Sequence, residues 1–366
     1  MKITDIETIL LRAPITEELS DASFDHKSRD ELLVKVHTDE GITGIGESGH
    51  YFAMGAIKSI IHEEFRPLLL HKDPLDVEKL WEDMYNYSFL FGRKGSAIIA
   101  ISGIEIALMD IFGKKVGLPV YKLLGGEFRR RIKAYASGGF RKSKENLVEE
   151  MSRHVKNGFT AVKMKVGFDE DSDVENVRSV RSAIGSNVDL IVDANMGYTA
   201  KQAIRFSSAV EACNVLWFEE PVSADDVSSL VEVTKSISIQ TAAGENEYTA
   251  RGFNTLISNR AVDIVQPDVT RSGGLTECKK IASMAHLSNM LCTPHSWGNT
   301  IGLVATAHLL AAVPNGYMLE FDQTENPLRE ELLRKPFRLR DGVIEIPQSP
   351  GLGIELDEDT ISRYKI

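Results

Sequence analysis

The sequence predicts a modified (β/α)7β TIM barrel carrying an α+β capping domain, and three observations lead there. Between Phe159 and Phe321 one unit recurs, a short apolar run that stops on a polar residue. The runs end at Lys165, Asp193, Glu219, Glu245, Asp268, His295 and Glu320, 23 to 28 residues apart, which is the length of a strand, a helix and two short loops. The runs are continuously apolar rather than alternating, as in Leu190-Ile191-Val192 and Val215-Leu216-Trp217-Phe218. Strands of a parallel sheet covered on both faces read that way. Finally, the chain has 366 residues, against about 250 for a bare barrel, so roughly a hundred remain for a second layer.

Taken in order, residues 1–14 and 31–48 predict strands. Ile3, Ile6, Ile9 and Leu11 recur in the first, and Leu33-Val34-Lys35-Val36 with Ile42-Thr43-Gly44-Ile45 frame an Asp39-Glu40-Gly41 turn in the second. This opens a meander and not a nucleotide-binding βαβ unit. Thr16–Arg29, rich in Ser, Asp and Glu, is long for a connection and is expected to be a solvated loop or a mobile lid. Helices are expected near 54–70, 75–88 and 95–116, the last stopped by Gly117-Leu118-Pro119 because proline cannot continue the ladder. The apolar stretch from Ala97 to Phe112 contains Glu105 and Asp110, so it reads as a buried helix and not a membrane span.

Leu123-Leu124-Gly125-Gly126 closes the cap, and the periodic pattern opens with Lys133-Ala134-Tyr135-Ala136. The division is therefore a cap of residues 1–126, a barrel of residues 127–325 and a C-terminal segment, 326–366. Barrel helices are expected near 143–157, 171–185, 199–212, 223–235, 247–258, 273–285 and 299–312, with an eighth strand near 316–321. The C-terminal segment carries an Asp341-Gly342 hairpin signal. It is expected to return to the N-terminal sheet, making the cap discontinuous.

With 43% apolar and 26% charged residues, the chain can bury a large core. Its net charge is −11 and its longest basic run is Arg129-Arg130-Arg131, which excludes a phosphate-backbone partner. An acidic chain that binds an acidic substrate needs local positive charge, from a metal or from lysines. Cys213, Cys278 and Cys292 form no CxxC pair, which suits a reducing, cytoplasmic compartment and argues against a disulfide framework or zinc site. Met1-Lys2-Ile3-Thr4-Asp5 is charged too early for a secretory signal.

The polar strand ends carry the chemistry. Lys163 and Lys165 are two apart on a strand, so both face the barrel interior, where two ammonium groups lower each other's pKa and one can serve as a base. Asp193, Glu219 and Glu245 end three consecutive strands. Three converging carboxylates repel unless a hard divalent cation joins them, and an all-oxygen set favours Mg2+ over zinc. His295 lies one strand past Asp268, whose carboxylate would fix its tautomer and raise its basicity. Glu320 could hydrogen-bond a substrate oxygen if protonated.

In residue types and spacing this series resembles the mandelate racemase subgroup of the enolase superfamily, the mandelate racemase/muconate lactonizing enzyme family. Ile104-Glu105-Ile106-Ala107-Leu108-Met109-Asp110, Leu123-Leu124-Gly125-Gly126, Phe218-Glu219-Glu220-Pro221 and Gln266-Pro267-Asp268 also match the family's phrases, so the resemblance spans the chain. It implies Mg2+ on Asp193, Glu219 and Glu245, with Lys165 and His295 as bases on opposite sides of a carbon next to a carboxylate. It further implies that Lys163 neutralises the substrate carboxylate and depresses Lys165, that Glu320 donates to the same carboxylate, and that Asn195 touches substrate.

The reaction expected is removal of the α-proton of a small-molecule carboxylate to give an ene-diolate. Dehydration of a sugar acid to a 2-keto-3-deoxy acid is the first reading, and racemisation or epimerisation of an α-hydroxy or other acid the second. Polar loops at Ser20–Arg29 and Gly49–Phe52 offer His26 and Tyr51, with Asp21, Asp25, Lys27, Arg29 and His50, as polyol contacts. A noncatalytic scaffold would be free to lose the two bases and three ligands, and metal-assisted hydrolysis lacks a His-x-His strand and leaves Lys163 and Lys165 without work. Barrels of this sort often associate, so a homo-oligomer is expected.

Overall fold

In the computed structural model, which describes residues 1–49, 53–340 and 342–366, Ile3, Ile6, Ile9 and Leu11 are buried along β1 (Ile3–Ser20). β1 pairs antiparallel with β2 (Asp25–Thr38), and β2 with β3 (Thr43–Glu47). The expected loop at Thr16–Arg29 is instead the far end of the β1–β2 ribbon, which resumes after a register shift between Pro14 and Leu19. Its sequence is polar because the ribbon overhangs the barrel mouth with one face wet, and apolar Ile15 and Leu19 pack inward on Phe140 and Trp297.

β3 lies directly on a long helix. Gly44 and Gly46 press against the backbone of Ala107 and Gly103, where a Cβ on either glycine would collide. Ahead of that helix run α1 (Met54–Ser59), a π turn (Ile60–Phe65), α2 (Arg66–Leu69) and α3 (Val77–Ser88). The long helix itself is α4 (Ser96–Val116). It is long and apolar enough to cross a membrane, yet 83% of its apolar window is buried inside the fold, and Glu105 and Asp110 on it hydrogen-bond neighbouring backbone. A short α5 (Val120–Leu123) leads into the barrel.

The barrel alternates as expected: β4 (Arg131–Ser137), α6 (Lys144–Lys156), β5 (Ala161–Lys165), α7 (Glu170–Ile184), β6 (Asp189–Asp193), α8 (Ala200–Ala209), β7 (Val215–Glu219) and α9 (Val227–Ser236). Then come β8 (Gln240–Ala243), α10 (Thr249–Ser258), β9 (Ile264–Val265), α11 (Leu275–Leu287), β10 (Leu291–Cys292), α12 (Thr300–Ala312) and β11 (Leu319–Asp322). The parallel order is β10-β9-β8-β7-β6-β5-β4-β11. A bridge between Cys292 and Gly316 closes the ring. Tyr135, Ala161, Ile191, Trp217, Ala242, Ile264 and Met318 fill the interior as one apolar layer. Period two then dictates what lies above it: Ala161 is followed inward by Lys163 and Lys165, Ile191 by Asp193, and Trp217 by Glu219.

After α13 (Pro327–Glu331), the tail forms β12 (Val343–Glu345), which pairs antiparallel with β4 of the barrel. This tail strand thus goes to the barrel and not to the N-terminal sheet, which the tail meets through α13, packed on β1 and β2, and, after α14 (Glu358–Tyr364), through a bridge from Lys365 to Leu11. Asp341 lies outside the described residues. The physical reason is that β4 begins before its parallel neighbours, leaving Arg131, Ile132 and Lys133 with a free edge that β12 takes.

Candidate active site

Asp193 and Glu219 end β6 and β7, Glu245 follows β8 by two residues, and one oxygen from each lies within 4.8 Å of the others. Asp193 and Glu219 are fully buried. Glu219 is pushed up to about 7, by burial first and then by the charges of Asp193, Glu320 and Glu245, against the lowering by Lys163. A second donor set orients it: Gln266 Nε2 and Trp217 Nε1 donate to its Oε2 at 2.8 and 3.1 Å. Three convergent hard oxygens at this spacing, with neighbours donating to Asp193 and Glu219, fit a small divalent cation. Left-handed backbone at Asn195, Met196 and Glu220 follows two of the ligands, the kind of conformation that accumulates where a site dictates geometry.

Lys163 and Lys165 point inward together. Lys165 Nζ lies 2.6 Å from Asp193 Oδ2, and Lys163 contacts Asp193 at 3.2 Å, Glu320 at 2.8 Å and Glu219. Lys165 lines the cavity described below, whereas Lys163 lies beneath it, 1% exposed. The lowering of Lys165 by its neighbour Lys163 competes with the acids around it. Burial and Lys163 do lower it, but Asp193, Glu245 and Glu219 together outweigh them, so it is raised. These same carboxylates would cease to raise the lysines once a cation neutralised them.

On the other side of the ring, His295 Nδ1 donates to Asp268 Oδ2 at 2.7 Å, and Nε2 lies 3.6 Å from Glu245 Oε2. Asp268 is itself fixed, its Oδ1 accepting from the backbone N–H and hydroxyl of Thr270, both at 2.7 Å. Burial lowers His295, but Glu245, Glu320 and Asp268 lift it to about 9. Glu320 differs from expectation. It accepts from Ser137 Oγ at 2.7 Å and Ser296 N at 2.8 Å, and Lys163 and His295 outweigh burial to hold it down at about 2. In this arrangement it is an acceptor that anchors Lys163, and not a protonated donor.

These groups border a cavity of about 230 Å³. From the barrel it is lined by Lys165, Asn195, Glu245, His295 and Glu320, and from the ribbon by Asp21, Ser23, Phe24 and His26. Asn195 is placed by a 3.0 Å bond from its N–H to Asp193 and by Ser23 Oγ, which donates to its carbonyl at 2.8 Å. Of the expected ribbon contacts, Asp21 and His26 reach the cavity and pair with each other at 3.3 Å. Asp25 and Lys27 do not line it. Arg29 sits behind, its guanidinium 3.8 Å from the Trp297 ring and 2.8 Å from Asp322. His50 and Tyr51 lie outside the described residues. Arg271, Asn246, Trp297, Met54 and Ile99 also line the cavity. Sequence reasoning missed them, and only Asn246, Arg271 and Trp297, each within three residues of Glu245, Asp268 or His295, offered any positional hint.

Residues 8–125 match the mandelate racemase / muconate lactonizing enzyme N-terminal domain, and residues 146–360 match the enolase C-terminal domain-like family. The chain is 35% identical over 380 residues to D-galactarolactone cycloisomerase of Agrobacterium fabrum, covering 100% of this chain and 99% of that one. It is 35% identical over 338 residues to arabinonate dehydratase of Saccharolobus solfataricus, covering 91% and 90%. Among solved structures, 3,6-anhydro-D-galactonate cycloisomerase from Zobellia galactanivorans superposes with a TM-score of 0.92 at 38% identity over 100% of both chains. A racemase from Streptomyces coelicolor A3(2) with bound magnesium gives 0.93 at 30% identity, again over 100% of both. Two domain matches and full-length identity at this level make the chain a member of the mandelate racemase/muconate lactonizing enzyme family of the enolase superfamily, enzymes that bind Mg2+.

Proposed function

We propose that this enzyme removes the proton α to the carboxylate of a sugar acid and expels the oxygen on the β-carbon, acting as a sugar-acid dehydratase. The observation that carries the reading is that Lys165 and His295 line one cavity together with Glu245 from opposite parts of the barrel wall. Asp193, Glu219 and Glu245 would hold Mg2+, which when bound offsets the negative charge that builds on the substrate carboxylate. Lys165 takes the α-proton, and the electron pair of the C–H bond moves into the carboxylate to give an ene-diolate. Lys163, with Glu320 and Asp193 around it, keeps positive charge beneath that carboxylate. His295, oriented through Nδ1 by Asp268, gives its Nε2 proton to the β-oxygen as the C–O bond breaks. Water departs, and the enol becomes a 2-keto-3-deoxy acid.

A second reading is favoured by cycloisomerases that match the chain over its full length. If the β-oxygen belongs to a ring of the same molecule, the same C–O cleavage opens that ring, and the product is an isomer of the substrate. Racemisation or epimerisation would need only that no β-oxygen be aligned and that the opposite base return the proton. Aldonic acids, aldaric acids and their lactone and anhydro forms, incubated with Mg2+ in D2O, separate the three. Dehydration gives a 2-keto acid from an open-chain acid, cycloisomerisation gives one from a cyclic acid only, and racemisation labels the α-carbon without a keto product. Neither keto acid nor α-deuterium across the panel would overturn the proposal.

The same reading takes the chain to be a cytoplasmic homo-oligomer. Its three cysteines are buried and free, and Tyr87, Phe89, Leu90 and Phe91 form an exposed apolar run, Leu90 being 95% exposed, of the kind a subunit contact would cover.

A further inference from the structure

The dyad partners, Asp268 and His295, lie in the segments that follow β9 and β10, the two shortest strands of the barrel. Two-residue strands hold little register by themselves, so something else must set the 2.7 Å contact between His295 Nδ1 and Asp268 Oδ2. The next helices, α11 and α12, share a defect: their N-caps, Gly274 and Asn299, make no side-chain capping hydrogen bond. A helix start leaves backbone N–H groups unpaired and carries partial positive charge.

In both cases a buried carboxylate from the cap fills the gap. Glu105 of α4 accepts from Leu275 N at 2.6 Å and Thr276 N at 2.9 Å. Glu47 of β3 accepts from Gly302 N at 2.8 Å and Asn299 N at 3.3 Å. The α11 segment is gripped further by Ser102, whose hydroxyl accepts from Gly273 N at 2.9 Å. The two segments meet at Glu47. A Cβ on Gly302 would lie 2.6 Å from Thr270 Cγ2 and 3.2 Å from Glu47 Oε2, and Thr270 is the residue that holds Asp268.

We propose that Glu47 and Glu105 are positioning residues, through which the cap fixes the His295–Asp268 hydrogen bond by anchoring the helix that follows each partner. The inference rests on the reading of the dyad as catalytic machinery, and its test needs no substrate, so the two fail independently. The experiment is proton NMR of 15N-histidine-labelled protein saturated with Mg2+, following the downfield Nδ1–H of His295, assigned by its disappearance in His295→Gln. Glu47→Gln should shift that resonance upfield or lose it to exchange, with the circular dichroism unchanged. An amide in place of the carboxylate turns a donor toward one of the two N–H groups. Glu105→Gln should act in the same direction.

Asp173 of α7 accepts from Gly167 N and Phe168 N, both at 2.9 Å, after β5, which carries neither dyad partner, so Asp173→Asn should leave the resonance in place. Should Glu47→Gln not fold, Glu47→Asp, which keeps the charge but withdraws it by one methylene, and Glu105→Gln decide the matter in the same way. A folded variant at either position with the His295 resonance unmoved would overturn the proposal, as would an equal shift in Asp173→Asn.

Discussion

Lys165 and His295 each meet a carboxylate on one side and the open cavity on the other, so their removal should cost chemistry and not folding. Lys165→Ala and His295→Ala are expected to lower turnover by about 10²- to 10⁴-fold, the usual share of a general acid or base, with circular dichroism and melting unchanged. Substantial activity in the double variant would remove both as bases. A different residue governs stability. Glu31 is fully buried, neither oxygen has a hydrogen-bond partner among the described residues, and burial and the charge of Glu47 hold its carboxyl well above the ordinary 4.5. The folded chain therefore keeps a proton that the unfolded chain releases, so stability falls as pH rises from 4.5 towards the folded value. Glu31→Gln abolishes that slope. Its melting temperature should drop less than the parent's between about pH 5 and pH 8, and parallel curves would show that folding does not raise the carboxyl of Glu31 above its unfolded value.

Elements position these residues through two close contacts. β3 lies on α4 only because Gly46 has no side chain, since a Cβ there would run into the carbonyl of Gly103. Gly46→Ala should destabilise the protein by about 1–3 kcal/mol, as overpacking does, read as a lower denaturant midpoint. The second contact is the end of the β1–β2 ribbon on its aromatic platform. His26 sits 4.6 Å from Trp297 between ring centroids, and Arg29 stacks on the same indole. Trp297→Ala should raise amide hydrogen exchange at Leu19–His26 and leave the barrel strands protected. Uniform exchange changes across the chain would instead mark Trp297 as a general core residue.

At the level of the whole molecule, acid and base groups from two layers balance one another. In this structure Lys163 and Lys165 offset the charge of the triad, so a chelator should abolish turnover without unfolding the chain. Added Mg2+ should restore activity and raise the melting temperature, by the equivalent of about 2.7 kcal/mol at a hundredfold excess over Kd. Unfolding on chelation would show that the lysines do not compensate the acids. The exposed run at Phe89-Leu90-Phe91 predicts association. Leu90→Asp should shift sedimentation toward the monomer, while a parent that sediments as a monomer would remove that reading.

The barrel and the residues at its mouth were legible because both follow from local periodicity. A strand buried on both faces must be continuously apolar, and period two places Lys163, Asp193 and Glu219 above the interior layer without knowledge of any partner. The helix boundaries were legible for the same reason, since glycine, proline and capping residues act within a few positions of the chain. The tertiary structure alone decided what depends on residues distant in sequence. It turned a polar stretch into the end of a ribbon, sent the tail strand to the free edge of β4, and let Asp193, Glu219 and Glu245 raise Lys165 where a lysine neighbour alone would lower it. It also brought Glu47 to a helix start about 250 residues further along the chain. Electrostatic sums and strand edges depend on three-dimensional proximity, which a one-dimensional pattern does not contain.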